Sequence, residues 1–254
     1  MLKVCFVSTY PPIHCGIASY THSLAKALIE VKPIQVTVVT EKGGMHSLNE
    51  VVCIPCFSRG TDYVEDVLQP ITETKPDIVH IQHDYSVYGF GDLFFKLLEK
   101  IDRNTVITMH EIHTPATPEK ITYGVENLSR NHARLGRIAT KLIVHTETMK
   151  KWLCEYNVEA SRIEIVPHGT SILPEVHKIE AKRALGFSEF DRVILSLGFI
   201  RRSKNESLLI EALPEILKKV PRTRLLLVGS LHLHSPPEDK EEAQRRRSIT
   251  HELG

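Results

Sequence analysis

Apolar residues in this chain fall in short blocks separated by longer amphipathic stretches, and the two alternate. Leu2 to Ser8 is an apolar block the length of a buried strand. After the loop TYPPIHCG, Ile17, Tyr20, Leu24, Ala27, Leu28 and Val31 recur at helical spacing, and Pro33 ends that helix. The alternation predicts further strands over Ile34–Thr40, VVCIP, IVHIQ, TVITMH, KLIVH and Arg162–Val166. It predicts helices over Thr61–Thr74, Leu93–Ile101, Lys120–Ala139 and Glu147–Tyr156, with Thr146 placed to cap the last. Near residue 170 the pattern changes. SILPEVHKIEAKRALGFSEFD is polar with one short helix, as a linker is, and a fresh strand–helix–strand pattern then follows in VILSLG, SLLIEALPEILKKV and RLLLVGS. The last stretch, EDKEEAQRRRSITHELG, is a polar helix whose charge run fits a solvated face.

Strands interleaved with helices predict an α/β fold with a parallel sheet. The expected organisation is one complete doubly wound domain over residues 1–170, a linker over 171–190, and the start of a second domain over 191–254. A doubly wound nucleotide-binding half wants about three strands. Two strand–helix units fall short of that, so the expectation is a chain truncated relative to a longer protein.

Composition narrows the function classes. The 254 residues are 42% hydrophobic and 25% charged, enough apolar material for a real core. Lys plus Arg number 32 against 31 Asp plus Glu, a formal net charge of +1, which argues against a general nucleic-acid binder. No apolar run approaches the ~20 residues of a membrane span, and MLKVCFVSTYPP reads as a strand, not a signal peptide. Five scattered cysteines, an odd number, suit a reducing cytoplasmic setting better than a disulfide framework. Cys53 and Cys56 form a single C-x-x-C with strand-like flanks; a zinc site needs a second pair, and the expectation is buried, inert thiols.

Candidate chemistry gathers at strand ends, where open parallel sheets bind ligands. Gly16 follows the first strand and opens a helix, whose terminal N–H groups and dipole suit an anion; a tight turn explains the glycine equally well, and the loop lacks G-x-G-x-x-G. Fourteen histidines are present, and His80, His83, His110, His113, His145 and His168 stand at or near strand ends. HEIHT is not H-E-x-x-H, and the odd spacing of His80 and His83 puts them on opposite strand faces, so neither pair predicts a metal site. After Gly198 comes a cationic loop with Arg201, Arg202 and Lys204, where a diphosphate would land, and Ser203 or Asn205 can cap the following helix. A charged surface loop is the plainer account of the same residues.

YPPIHCGIASYTHSLAKAL resembles the first loop and helix of retaining glycosyltransferases of family 4, which have the two-Rossmann-domain GT-B fold. VPHGTSI is similar to that family's turn closing the first domain, LGFIRRSKNESLLIEAL to its Gly-x(5)-Lys-Gly loop and helix, and PDIVHIQHDYSVYG to a sub-group's Gln-His-Glu stretch with a following Tyr/Phe-Gly pair. The resemblance implies a Rossmann-like acceptor-side domain and a nucleotide-sugar-binding domain, with sugar transfer from a nucleotide-diphosphate sugar to an acceptor with retention of configuration. It implies donor binding by Gly16, Arg201 and Lys204, and a catalytic His110 at the donor sugar. The scheme needs no metal or other cofactor, because fixed cations and helix dipoles stabilise the leaving diphosphate. His83 and Tyr88, with Tyr85 and Phe90, are the acceptor-side candidates, and Tyr88 is equally explained as core packing. The acceptor implied is a carbohydrate, a lipid-linked molecule or another small molecule, with peripheral membrane contact a feature of many relatives.

The chain departs from the family pattern in places. Phe199 replaces an arginine, for which Arg201 is the nearest substitute, and Asn205 replaces a glycine. The family carries a Glu-x(7)-Glu motif late in the second domain, and no such pair stands in residues 191–254, so residues 1–254 alone are expected not to turn over. Two other readings remain: a non-catalytic binding or partner subunit, and another GT-B enzyme such as a sugar-nucleotide epimerase. A dehydrogenase is disfavoured by the missing glycine fingerprint.

Overall fold

The computed structural model describes residues 1–44, 51–89, 91–113, 125–231 and 235–253, except for the side chains of 125–129 and 252–253. The chain forms two compact units, Met1–Gly169 and Thr170–Gly254. Part of the loop expected after the second strand, Phe90, and residues 120–124 of the long expected helix lie outside the described residues.

The first unit holds a seven-stranded sheet: β1 (Leu2–Ser8), β2 (Ile34–Glu41), β3 (Val51–Phe57), β4 (Ile78–His83), β5 (Asn104–Met109), β6 (Lys141–Val144) and β7 (Ile163–Ile165), in the order β3-β2-β1-β4-β5-β6-β7. Every pairing is parallel. Period-two alternation decides which residue meets which helix. Val4, Phe6, Val36 and Val38 pack with Ala25 of the Gly16–Val31 helix on one face. Cys5, Val7, Val79 and Ile81 belong to the core on the other, with Val67 and Ile71 of the Val64–Thr74 helix and Phe94 and Leu97 of the Leu93–Lys100 helix. β1 and β4 are clamped at their start by a reciprocal pair of bonds: Lys3 N–H donates to Asp77 Oδ2 at 2.8 Å, and Asp77 N–H to the Lys3 carbonyl at 2.9 Å.

Several elements differ from the sequence expectation. A four-residue helix, Tyr85–Tyr88, was not visible in the apolar pattern; the Asp84 carboxylate accepts from Ser86 N–H at 2.7 Å and starts it. The helix expected from Thr61 begins at Val64, because the Asp62 carboxylate draws its N–H into a cap at 3.2 Å. Thr146 does cap the Glu147–Glu155 helix, accepting from Met149 N–H at 3.2 Å. The Val125–Ile138 helix is stopped by Arg162, whose Nη1 donates to the carbonyls of Arg137 and Ala139 at 3.1 Å each.

The second unit pairs β8 (Arg192–Leu197) with β9 (Thr223–Val228) in parallel, alongside helices Lys178–Ala184, Glu206–Lys219 and Pro237–Leu253. Its buried apolar residues among those described are Ile210 and Ala243, while Leu195 and Leu197 of β8 are 57% and 69% exposed. Polar bonds supply what the small core lacks. Buried Glu206 accepts from Arg246 at 2.7 Å and from Ser196 Oγ at 2.5 Å.

Close packing in the first unit gives a direct test. A Cβ added at Gly136 would lie 2.6 Å from Val158 Cγ1, so Gly136→Ala overpacks a well-filled contact. A loss of about 1–3 kcal/mol is expected in denaturant unfolding.

Candidate functional site

The strand order reverses its direction of growth between β1 and β4, so the crevice at the carboxyl ends of these strands is the place where a doubly wound sheet takes a ligand. The Gly16–Val31 helix opens there. Cys15 makes no side-chain capping bond, the first turn holds no acidic residue, and a Cβ at Gly16 would meet nothing within 4 Å. The helix therefore presents its first amides to open space at its positive end. Ser8 and Thr21, joined Oγ to Oγ1 at 2.6 Å, fix this helix against β1.

His110 stands just past β5, with its N–H bonded to the His83 carbonyl at 3.2 Å. Its Nε2–H donates to Gln82 Oε1 at 2.8 Å, which leaves Nδ1 with a lone pair. Burial, and then the neighbouring His145, lower its pKa to about 4, so the ring is neutral at neutral pH. His145 and His168 follow β6 and β7, and one ring nitrogen from each of the three histidines lies within 4.8 Å of the others. The Tyr20 ring packs against all three, with centroids 4.8, 5.6 and 4.9 Å from His110, His145 and His168. Of the described residues, these three are where histidines gather closely enough to share a metal ion. The sequence named each as a strand-end histidine but did not join them; their positions after three consecutive parallel strands were the available signal.

His80 and His83 point to opposite faces, as their spacing requires. His80 packs on Phe6 and its Nε2 meets Thr108 Oγ1 at 2.8 Å, whereas His83 packs between Tyr85, Tyr88 and Phe94. His83 is 1% exposed and Tyr88 4%, and the Tyr88 hydroxyl donates to the Val7 carbonyl at 2.9 Å. Both are packing residues beneath the strand-end face, placed to shape it from below. Cys53 and Cys56 also part by strand parity, one packing on each core, and burial raises both thiols to about 11. That pair is neither activated nor able to act together.

In the second unit, Gly198 ends the stretch after β8 with φ +144, a conformation side chains rarely adopt, and Lys204 Nζ lies directly over its α-carbon. The Gly198 carbonyl occupies the place a Cβ on Gly229 would take. The two glycines thus bring β8 and β9 backbone to backbone beneath an exposed ammonium. Asn205 has a left-handed backbone, φ +47 and ψ +46, which accounts for glycine or asparagine at that position, and it makes no side-chain cap. The capping expected of Ser203 or Asn205 is replaced by Glu242, which accepts from Ser207 N–H at 3.2 Å, while Asp239 accepts from Arg202 N–H at 2.8 Å. Those amides are engaged by carboxylates, so an anion here would rely on the exposed side chains of Arg201 and Lys204.

A doubly wound first unit followed by a second parallel strand–helix–strand unit is the element order of the GT-B class. A family model described as Glycosyltransferase Family 4 matches residues 15–172, more than half of the chain, and the chain belongs to that family. It is 26% identical over 137 residues to the D-inositol 3-phosphate glycosyltransferase of Segniliparus rotundus, a match covering 50% of this chain and 30% of that curated relative. Among solved structures, Anabaena HepE in complex with UDP and glucose is similar with a TM-score of 0.69 and 15% identity, covering 99% of this chain and 67% of that one. UDP-GlcNAc 2-epimerase from Neisseria meningitidis, bound to UDP-GlcNAc, gives a TM-score of 0.60 at 15% identity, covering 98% and 70%. At these identities the structural likeness concerns the fold. No described helix is long and apolar enough to cross a membrane.

Two outcomes follow from this geometry. Burial lowers His80 to about 4 and His83 to about 3, from 6.5. The unfolded chain takes up these protons first, so stability is full above about pH 6.5 and falls as the pH drops toward the folded values. At about pH 5 each histidine should cost roughly 2 kcal/mol, and His83→Phe should flatten the pH dependence of unfolding. Gly229→Ala should unfold the second unit at lower denaturant, because the added carbon displaces the Gly198 carbonyl.

Proposed function

We propose that this protein transfers a sugar from a nucleotide-diphosphate sugar to an acceptor, with retention of anomeric configuration and without a metal in the transfer step. Membership of glycosyltransferase family 4 supports the reaction class. The observation that carries the donor assignment is Lys204 held over the Gly198–Gly229 backbone contact. Lys204 covers that glycine floor, and its ammonium neutralises charge as the diphosphate departs. Arg201, exposed two residues past Phe199, adds a second cation. In the first unit, the uncapped helix at Gly16 offers amides suited to an anion, and neutral His110 offers its Nδ1 lone pair to a sugar hydroxyl. His83 and Tyr88 support the acceptor side from beneath, and the acceptor is a carbohydrate, a lipid-linked molecule or another small molecule.

The UDP and UDP-glucose of the HepE complexes make a uridine donor the first to try.

The test is nucleoside-diphosphate release by the native protein with a panel of UDP-, GDP- and ADP-sugars and candidate acceptors. Acceptor-dependent release is expected, and Lys204→Ala should lower kcat/KM by about 100-fold or more while leaving the melting temperature unchanged, because the side chain is exposed. Acceptor-free conversion of the sugar nucleotide would instead make the protein an epimerase. An unchanged kcat/KM in Lys204→Ala would sink the donor assignment.

A further inference from the structure

We propose that His110, His145 and His168 form a binding site for one divalent transition-metal ion, of the class zinc represents, at the carboxyl edge of the first unit. The argument rests on tautomers. A histidine ligates through a ring nitrogen that carries a lone pair, and its other N–H is ordinarily given to an oxygen acceptor that fixes the ring. All three rings have that arrangement. His110 gives Nε2–H to Gln82 Oε1 at 2.8 Å. His145 gives Nδ1–H to the Val166 carbonyl at 2.9 Å, and His168 gives Nδ1–H to the Gly169 carbonyl at 3.1 Å. Each ring is left with one lone-pair nitrogen: Nδ1 of His110 and Nε2 of the other two. His145 Nε2 is fully buried and has no hydrogen-bond partner, an orphaned acceptor in a polar cluster.

One nitrogen from each ring lies within 4.8 Å of the others, against a separation of about 3.3 Å for tetrahedral ligands at about 2.05 Å from zinc. Binding requires the three rings to draw together by that difference, and Tyr20, edge-on to the three rings, bounds one side of the cluster. The donor set selects the metal. Three imidazoles, joined by no carboxylate or thiolate among the described residues, suit zinc, cobalt, nickel or copper and do not suit magnesium or calcium. Three protein ligands leave a fourth position for water or for an oxygen of a bound molecule. All three residues belong to the first unit, and a bound ion takes the His110 Nδ1 lone pair that the transferase reading gives to a sugar hydroxyl, so metal and sugar are alternative occupants of that ring.

Cobalt(II) titrated into the metal-stripped full chain tests the proposal directly, with no nucleotide sugar present. The expected result is one equivalent bound, with the intense visible d–d absorption of a tetrahedral ion, displaced by zinc. His145→Ala and His168→Ala should each weaken binding at least tenfold, whereas His14→Ala, at an exposed position outside the cluster, should leave it unchanged. Circular dichroism of the metal-free variants checks folding. If His145→Ala does not fold, His168→Ala, exposed at the end of the unit, decides alone. Absence of the visible bands, or bands that survive in folded His168→Ala, overturns the site. A thiolate charge-transfer band would place the metal on cysteine instead and would also overturn it.

Discussion

A parallel sheet can be entered from one end only. Each strand must be followed by a crossover that returns the chain to the same side, so all seven carboxyl ends of the first unit lie along one edge. Most of the chemistry described here follows from that constraint. Gly16 comes after β1, His83 ends β4, and His110, His145 and His168 come after β5, β6 and β7. Residues far apart in sequence become neighbours because equivalent positions on adjacent strands must be neighbours.

The two units solve the problem of cohesion differently. The first buries apolar residues on both sheet faces and uses a few polar clamps at its margins. One of these is the Arg59–Glu41 pair, bonded from Nε to both carboxylate oxygens at 3.0 Å, with a further bond from Arg59 to the Ser86 carbonyl at 3.3 Å. The second unit buries few apolar residues and ties its helices with carboxylates instead. Glu206, Asp239 and Glu242 are all buried, and each accepts a bond from elsewhere in the unit. Pairs of this kind do more to fix one arrangement than to stabilise it, since desolvation offsets much of the attraction.

How far the sequence could be read depended on whether a feature had a period. Strands and helices came through because burial imposes spacings of two and 3.6 residues. The opposite faces of His80 and His83 follow from parity alone, and the same parity separates Cys53 from Cys56. The Tyr85–Tyr88 turn was not legible, because four residues carry no period and its start depends on one Asp84 bond. The engagement of Ser207 N–H by Glu242, 35 residues away, was equally hidden, since nothing local encodes a long-range capping bond. The histidine trio lay between these cases. Its members were visible singly, but joining them required the strand order, which the pattern of apolar blocks does not contain.

The Lys3–Asp77 clamp bears on how the molecule comes into being. It joins residues 74 apart and opens the pairing of β1 with β4, where the sheet changes its direction of growth. Closing a loop of that length costs roughly 4 kcal/mol of chain entropy, more than any later strand need meet. On the ribosome, β1, β2 and β3 can associate as they emerge, but the other half of the sheet must wait until His83 has cleared the exit tunnel. From then on β5, β6 and β7 each add to a neighbour already in place. The strand ends that carry Gly16 and the histidines can therefore assemble in the order in which they are synthesised, and the histidine edge is complete only when the last of them, at residue 168, has been made.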